Sequence, residues 1–193
     1  MNETTWRSGL TAALLSALLL TLAGPATLPA QVAAKSTAET DDSVPAVRKT
    51  GPSGLPLPRF VSLKSDRINV RAGPGQDHRI AWIFAKAGLP VEIVAEYDNW
   101  RRIRDSEGEE GWVFHSLLSG RRTALVAPWA TGKTVGMRRQ PSKEGALAAK
   151  VEPYVLVDVS ECDGAWCRVS VEDVSGWIQQ DMLWGVYPKE ALD

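Results

Sequence analysis

The feature that most constrains this chain is that its C-terminal two-thirds is written twice. Trp100 is matched by Trp166, 66 residues on, and Gly111-Trp112-Val113 by Gly176-Trp177-Ile178, 65 residues on. Ile103 is matched by Val169, Leu89-Pro90-Val91 by Pro153-Tyr154-Val155, and Ser116-Leu117-Leu118 by Asp181-Met182-Leu183, in the same order. A near-constant offset over so many landmarks means two copies of one structural unit. The copies are assigned to residues 59–122 and 123–193. Each is close to the lower size limit for independent folding, so the two are expected to pack together.

Each copy opens on a strand that must stop. In the first, Arg67-Ile68-Asn69-Val70-Arg71 alternates apolar and polar residues and then meets Ala72-Gly73-Pro74-Gly75. Alternation suits a half-buried strand, and the Gly-Pro-Gly sequence cannot continue one, because glycine admits positive φ and proline lacks a donor. Val135-Gly136-Met137-Arg138-Arg139-Gln140-Pro141 is the looser second version. From Phe60 onward, short apolar runs alternate with turn residues, and no segment holds a helical period over three turns. The expected strands in the first copy are Phe60–Leu63, Ile68–Arg71, Ile80–Phe84, Val91–Ala95, Trp100–Arg104 and Gly111–Phe114. The fold class is therefore all-β.

The residues before the repeat read differently. Arg7 precedes an apolar run, Leu10–Ala23, and small residues follow at Ala30 and Ala34. This predicts a signal peptide over residues 1–34, cleaved after Ala30 or Ala34, and a periplasmic or secreted protein. Read instead as an uncleaved anchor, the run at ~1.5 Å per residue falls short of a ~30 Å hydrocarbon core. No membrane attachment is expected once the signal is removed. Residues 35–58 are rich in Ala, Ser, Thr, Asp and Pro without an apolar period, which predicts a flexible linker. Leu55-Pro56-Leu57-Pro58 is also the kind of segment that forms a short proline-rich ligand.

These landmarks together resemble the bacterial SH3 domain family. The family pattern is an Asn-Val-Arg strand running into a Gly-Pro turn, a Gly-x-x-Val strand, a Trp-x-x-Val strand and a closing Gly-Trp-Val. Asn69, Arg71, Gly73, Pro74 and Gly111 carry the structural motif in the first copy. The second departs from it at Gly136 and Gln140. The resemblance implies two tandem small SH3-like β-barrels, and a non-catalytic module of an exported protein that binds peptidoglycan, its peptides or another envelope component. A scaffold that binds an envelope protein, without cell-wall affinity, is the alternative.

Eight tryptophans against three Tyr and three Phe make tryptophan the candidate binding residue. If Ile103 and Val169 point inward, parity places Trp100 and Trp166 outside the core. Trp112 and Trp177 likewise oppose Val113 and Ile178. Arg102 shares the face of Trp100 and suits cation–π stacking. Ligand contact and a purely structural role, plugging barrel ends, both fit this placement.

A net charge of −1 gives no electrostatic ground for binding nucleic acid. Cys162 and Cys167 flank a hairpin tip and are expected to form a disulfide, provided that a bulge brings Cys162 round to the side of Cys167. His78 and His115 have no metal-ligand spacing, so neither a metal nor a cofactor is expected. Gly132-Lys133-Thr134 lacks the leading glycine and the following helix of a phosphate loop. No nucleophile–base constellation is recognisable. Glu107, Glu109 and Glu110 read as a solvated turn.

Overall fold

The structure, a computed structural model, describes residues 49–193. The expected signal peptide and the first part of the expected linker lie outside these residues. The strands are β1 (Lys49–Thr50), β2 (Pro56–Leu57), β3 (Arg59–Leu63), β4 (Ile68–Arg71), β5 (Ile80–Phe84), β6 (Pro90–Tyr97), β7 (Trp100–Arg104), β8 (Glu110–Phe114) and β9 (Leu118–Ser119). They continue as β10 (Thr123–Val126), β11 (Val135–Arg138), β12 (Leu147–Val151), β13 (Leu156–Asp163), β14 (Trp166–Val171), β15 (Val174–Gln179), β16 (Leu183–Trp184) and β17 (Ala191–Leu192). One-turn 3-10 segments at His115–Leu117 and Gln180–Met182 precede β9 and β16.

The repeat is a repeat of topology. The first sheet runs β5-β4-β8-β7-β6-β3-β9 and the second β12-β11-β15-β14-β13-β10-β16, an identical order of equivalent antiparallel strands, with β17 added on β13. Each sheet curls around a core of its own. Ile68, Val70, Val91, Ile93, Ile103 and Val113 pack together in the first; Met137, Val157, Val159, Val169 and Ile178 do so in the second. One sheet can bury one cluster on its concave side only if it bends into a small, partly open barrel. Bulges supply part of the bend: register shifts occur between Ile93 and Ala95 and between Val159 and Glu161.

Two glycines show why the motif needs them. A Cβ on Gly111 would strike the Val70 side chain, would lie 2.9 Å from the Trp82 ring and 3.2 Å from the Arg71 carbonyl. Its counterpart Gly176 would meet Met137 Cγ at 2.6 Å and the Arg138 carbonyl at 2.7 Å. In both barrels the closing strand crosses the opening strand too closely for any side chain.

The barrels meet through buried hydroxyls and packed aromatic rings. Thr123 Oγ1 donates to the Gly88 carbonyl at 2.6 Å and lies 2.6 Å from Ser62 Oγ. Phe60 packs edge-on against Trp184 with centroids 5.2 Å apart, and its ring lies tilted against Tyr187 at 4.7 Å. Tyr187 donates its hydroxyl to Glu92 at 2.9 Å, and Arg104 holds the other oxygen of Glu92 at 3.1 Å.

The linker reading needs correction over residues 49–58. β1 and β2 pair as a hairpin, Lys49 opposite Leu57. Its turn is anchored by Glu96, which accepts from the Ser53 backbone (2.9 Å), the Ser53 hydroxyl (2.8 Å) and Arg59 (2.7 Å), with Arg101 at 3.2 Å. Composition missed this because the partner carboxylate lies over 40 residues downstream. Burial opposes ionisation of Glu96, but those hydrogen bonds and the Arg101 charge outweigh it and hold the pKa at about 2, against an ordinary 4.5. The folded value is depressed, so the stabilisation is present above pH 4.5 and is lost as pH falls towards 2. We expect on the order of 2 kcal/mol to disappear over that window. Glu96→Gln should flatten this part of the stability–pH curve measured by denaturant unfolding; an unchanged slope would refute it.

Candidate functional site

In β4, Ile68 and Val70 are buried, so the alternate residues, Asn69 and Arg71, face outward together with the preceding Arg67. In β7 and β8 the same alternation buries Ile103 and Val113 and turns out Trp100 and Phe114, which are register partners. Their rings pack edge-on, 5.5 Å apart. Between these elements lies a groove of about 370 Å³, lined by Arg67, Asn69, Arg71, Gln76, Trp100, Phe114, Ser116 and Leu117. Its lining holds two arginines and no carboxylate.

The second barrel has a groove of the same volume at the same place. Thr134, Gly136, Arg138, Trp166, Gln179 and Met182 line it. They are the repeat partners of Arg67, Asn69, Arg71, Trp100, Phe114 and Leu117. Lys133 and Arg138 again leave it basic without a carboxylate. Recurrence at equivalent positions marks the groove as a property of the unit.

Arg71 has a structural duty at the groove edge. Its Nη1 donates to the carbonyls of Gln76 (2.9 Å) and His78 (2.7 Å), closing the loop that follows the Gly-Pro-Gly turn. Arg138 does the same for the second loop through Gly145 O at 2.7 Å. Gly73 leaves room for the His78 ring, which would stand 2.6 Å from a Cβ there.

Comparison with known proteins follows this division. The profile described as "Bacterial SH3 domain" matches residues 64–120 and 131–185. The chain belongs to the bacterial SH3 domain family. The Bacillus subtilis (strain 168) protein named "Putative N-acetylmuramoyl-L-alanine amidase YrvJ" is 26% identical over 128 residues, 63% of this chain. The chain spans only 24% of that protein's length. Among solved structures, NlpC2 from Trichomonas vaginalis aligns over 66% of this chain and 48% of its own, at 16% identity and a TM-score of 0.30. An NlpC/P60 family protein from Bacillus cereus ATCC 10987 aligns over 65% and 55%, at 11% identity and a TM-score of 0.29. Scores this low carry no argument about function.

The two SH3 domains sort the residues singled out from sequence. Trp100, Asn69 and Arg71 come together in the first groove; Phe114, Arg67 and Gln76, which the sequence pattern did not flag, complete it. Trp166 lies in the second groove but is buried, 9% exposed, outside the main core cluster. Parity placed Trp166 outside the main core cluster, and the fold buries it there. The β10–β11 loop, residues 127–134, lines the cavity together with Trp166, whereas the equivalent β3–β4 loop has only residues 64–67.

Trp112 and Trp177 line neither groove. Each stands half-buried on the outer sheet face with an arginine on both neighbouring strands: Arg71 and Arg102 flank Trp112, and Arg138 and Arg168 flank Trp177. Directly paired residues share a face, so the arginine stems lie beside the indoles. Arg102 sends its guanidinium to Glu110 at 2.7 Å. Glu110 also holds Arg104, at 2.7 Å, so it is a paired strand residue and not part of a solvated turn. Cys162 and Cys167 form the disulfide. The β13 bulge carries Cys162 into the core, where it is 3% exposed.

Among the described residues no cluster of three or more His, Cys, Asp or Glu is placed to hold a metal. His115 packs its ring on Phe114, centroids 5.0 Å apart. Lys133 and Thr134 lie in the loop over the second groove. No described helix is long and apolar enough to cross a membrane.

Proposed function

We propose that this is an exported, non-catalytic binding protein of the cell envelope, with a cleaved signal over residues 1–34, a linker beginning at 35, and SH3 domains at 59–122 and 123–193. Its first groove takes a carboxylate-bearing component of peptidoglycan, such as a wall peptide. The observation that carries this reading is the basic, aromatic-walled groove without a carboxylate, built at equivalent positions in both domains. Arg67 supplies charge from an exposed position, Asn69 supplies an amide, and Trp100 with Phe114 supplies an apolar wall, the mix that fixes small anionic groups. The relative named as an N-acetylmuramoyl-L-alanine amidase supports an envelope ligand.

Retention of the mature protein on purified sacculi at moderate salt tests it. Arg67→Glu should weaken retention about tenfold, by adding a like charge to the ligand's. No retention of the wild type would sink the reading. A second reading, an envelope scaffold without wall affinity, is favoured by edge strand β5, where Ile80 and Ile83 are 43% and 42% exposed. It predicts no retention on sacculi and cross-linking to a protein partner through Ile83.

A further inference from the structure

The two domains differ most where the second carries a longer loop. Residues 64–67 join β3 to β4, whereas residues 127–134 join β10 to β11, four residues more. The extra length displays Trp129, 58% exposed. The loop is not slack: Ala127 is fully buried with φ of 35°, a left-handed conformation costly for a residue with a Cβ. Its N–H donates to the Met182 carbonyl at 2.8 Å, and Ala130 N–H closes the turn on the Ala127 carbonyl at 2.9 Å. A strained, anchored turn holds a large apolar ring in water, which is the placement of a contact residue.

Trp129 borders two cavities. One is the second groove; the other is a cleft of about 620 Å³ between the domains, walled by Phe60, Trp184 and Tyr187. Trp129 and Gln179 line both, so the indole stands between the two. The cleft differs from the grooves in charge. Glu92 is answered by Arg104 and by the Tyr187 hydroxyl, and the remaining ionisable lining groups, Asp181 and Lys189, are opposite in sign. The lining therefore has no excess of either sign to draw in an anion or a cation. Flat aromatic rings beside acceptors, the Asp181 carboxylate and the Gln179 carboxamide, suit a ring that is apolar on its face and carries hydroxyl donors on its rim.

We propose that the inter-domain cleft binds an uncharged saccharide, with Trp129 as its stacking platform. The site is separate from the first groove, and its test keeps the two readings apart. The full chain is titrated by calorimetry and by NMR of the indole N–H signals, Trp129→Phe assigning the Trp129 signal. The probes are triacetylchitotriose, maltotriose and, as the charged control, trigalacturonate. At least one neutral trisaccharide should shift the Trp129 signal with a dissociation constant below about 1 mM, and trigalacturonate should not. The two neutral sugars distinguish an acetamido-bearing ligand from a plain hexose. Trp129→Ala should weaken binding at least about tenfold, and Trp129→Phe, which keeps a ring, by about threefold or less. Arg67→Glu should leave the titration unchanged while weakening sacculus retention. The proposal is overturned by no shift with either neutral sugar at several times about 1 mM, by equal binding of trigalacturonate, or by unaltered affinity in Trp129→Ala. If Trp129→Ala does not fold, the wild-type indole shift decides.

Discussion

Gly111→Ala is expected to lower the unfolding free energy by about 2–3 kcal/mol and the melting temperature by about 5–10 °C. The added methyl meets Val70, the Trp82 ring and the Arg71 carbonyl at once, and the carbonyl is backbone, so it cannot rotate away. Any relief must move β8 off β4, where Arg71 pairs with Trp112. Gly176→Ala should cost at least as much, because the Arg138 carbonyl is closer still, at 2.7 Å. Gly120 is the control: nothing lies within 4 Å of a Cβ there, and Gly120→Ala should stay within about 0.5 kcal/mol of the wild type. Denaturant midpoints for the three variants check this; equal midpoints would show that the crossing is looser than the geometry implies.

Phe60→Ala is expected to cost about 3 kcal/mol and to uncouple the two domains. Phe60 is 8% exposed and belongs to neither core cluster; its ring fills the space between β3, Trp184 and Tyr187. Removing it leaves a cavity at the interface and loosens Tyr187, whose hydroxyl reaches Glu92 in the first domain. Calorimetry should show one cooperative transition in the wild type and two in the variant. A single transition with a loss under about 1 kcal/mol would mean that the buried Ser62–Thr123–Gly88 contacts alone couple the domains.

The strands could be read because their signals are local. Alternation at Ile68 and Val70, turn residues at Gly73–Gly75 and the offset between Trp100 and Trp166 involve neighbours in sequence or direct copies of them. Strand bounds in the first domain came within two residues, the largest difference being at β6, which continues past a bulge to Tyr97. What local patterns missed depends on distant partners. Glu110 looks like a turn residue until Arg102 and Arg104 on the adjacent strand claim it. Residues 49–58 look like a tether until Glu96 holds Ser53. Trp100 shows in the strand pattern as an outward-facing aromatic, but Phe114 does not stand out, because its partnership with Trp100 is a register fact about β7 and β8.

The sequence by itself determined the all-β class, the duplication, the family, and the face on which each strand shows its tryptophan, because side-chain alternation has a fixed period and glycine has no substitute at a tight crossing. The tertiary structure decided which tryptophans are accessible. Trp166 and Trp100 occupy the same place in the repeat, yet Trp166 is buried beside an eight-residue loop, Trp100 is half-buried where the equivalent loop has four residues, and the longer loop puts Trp129 into solvent. Accessibility depends on what folds over a side chain, and that is set by contacts between segments distant in sequence.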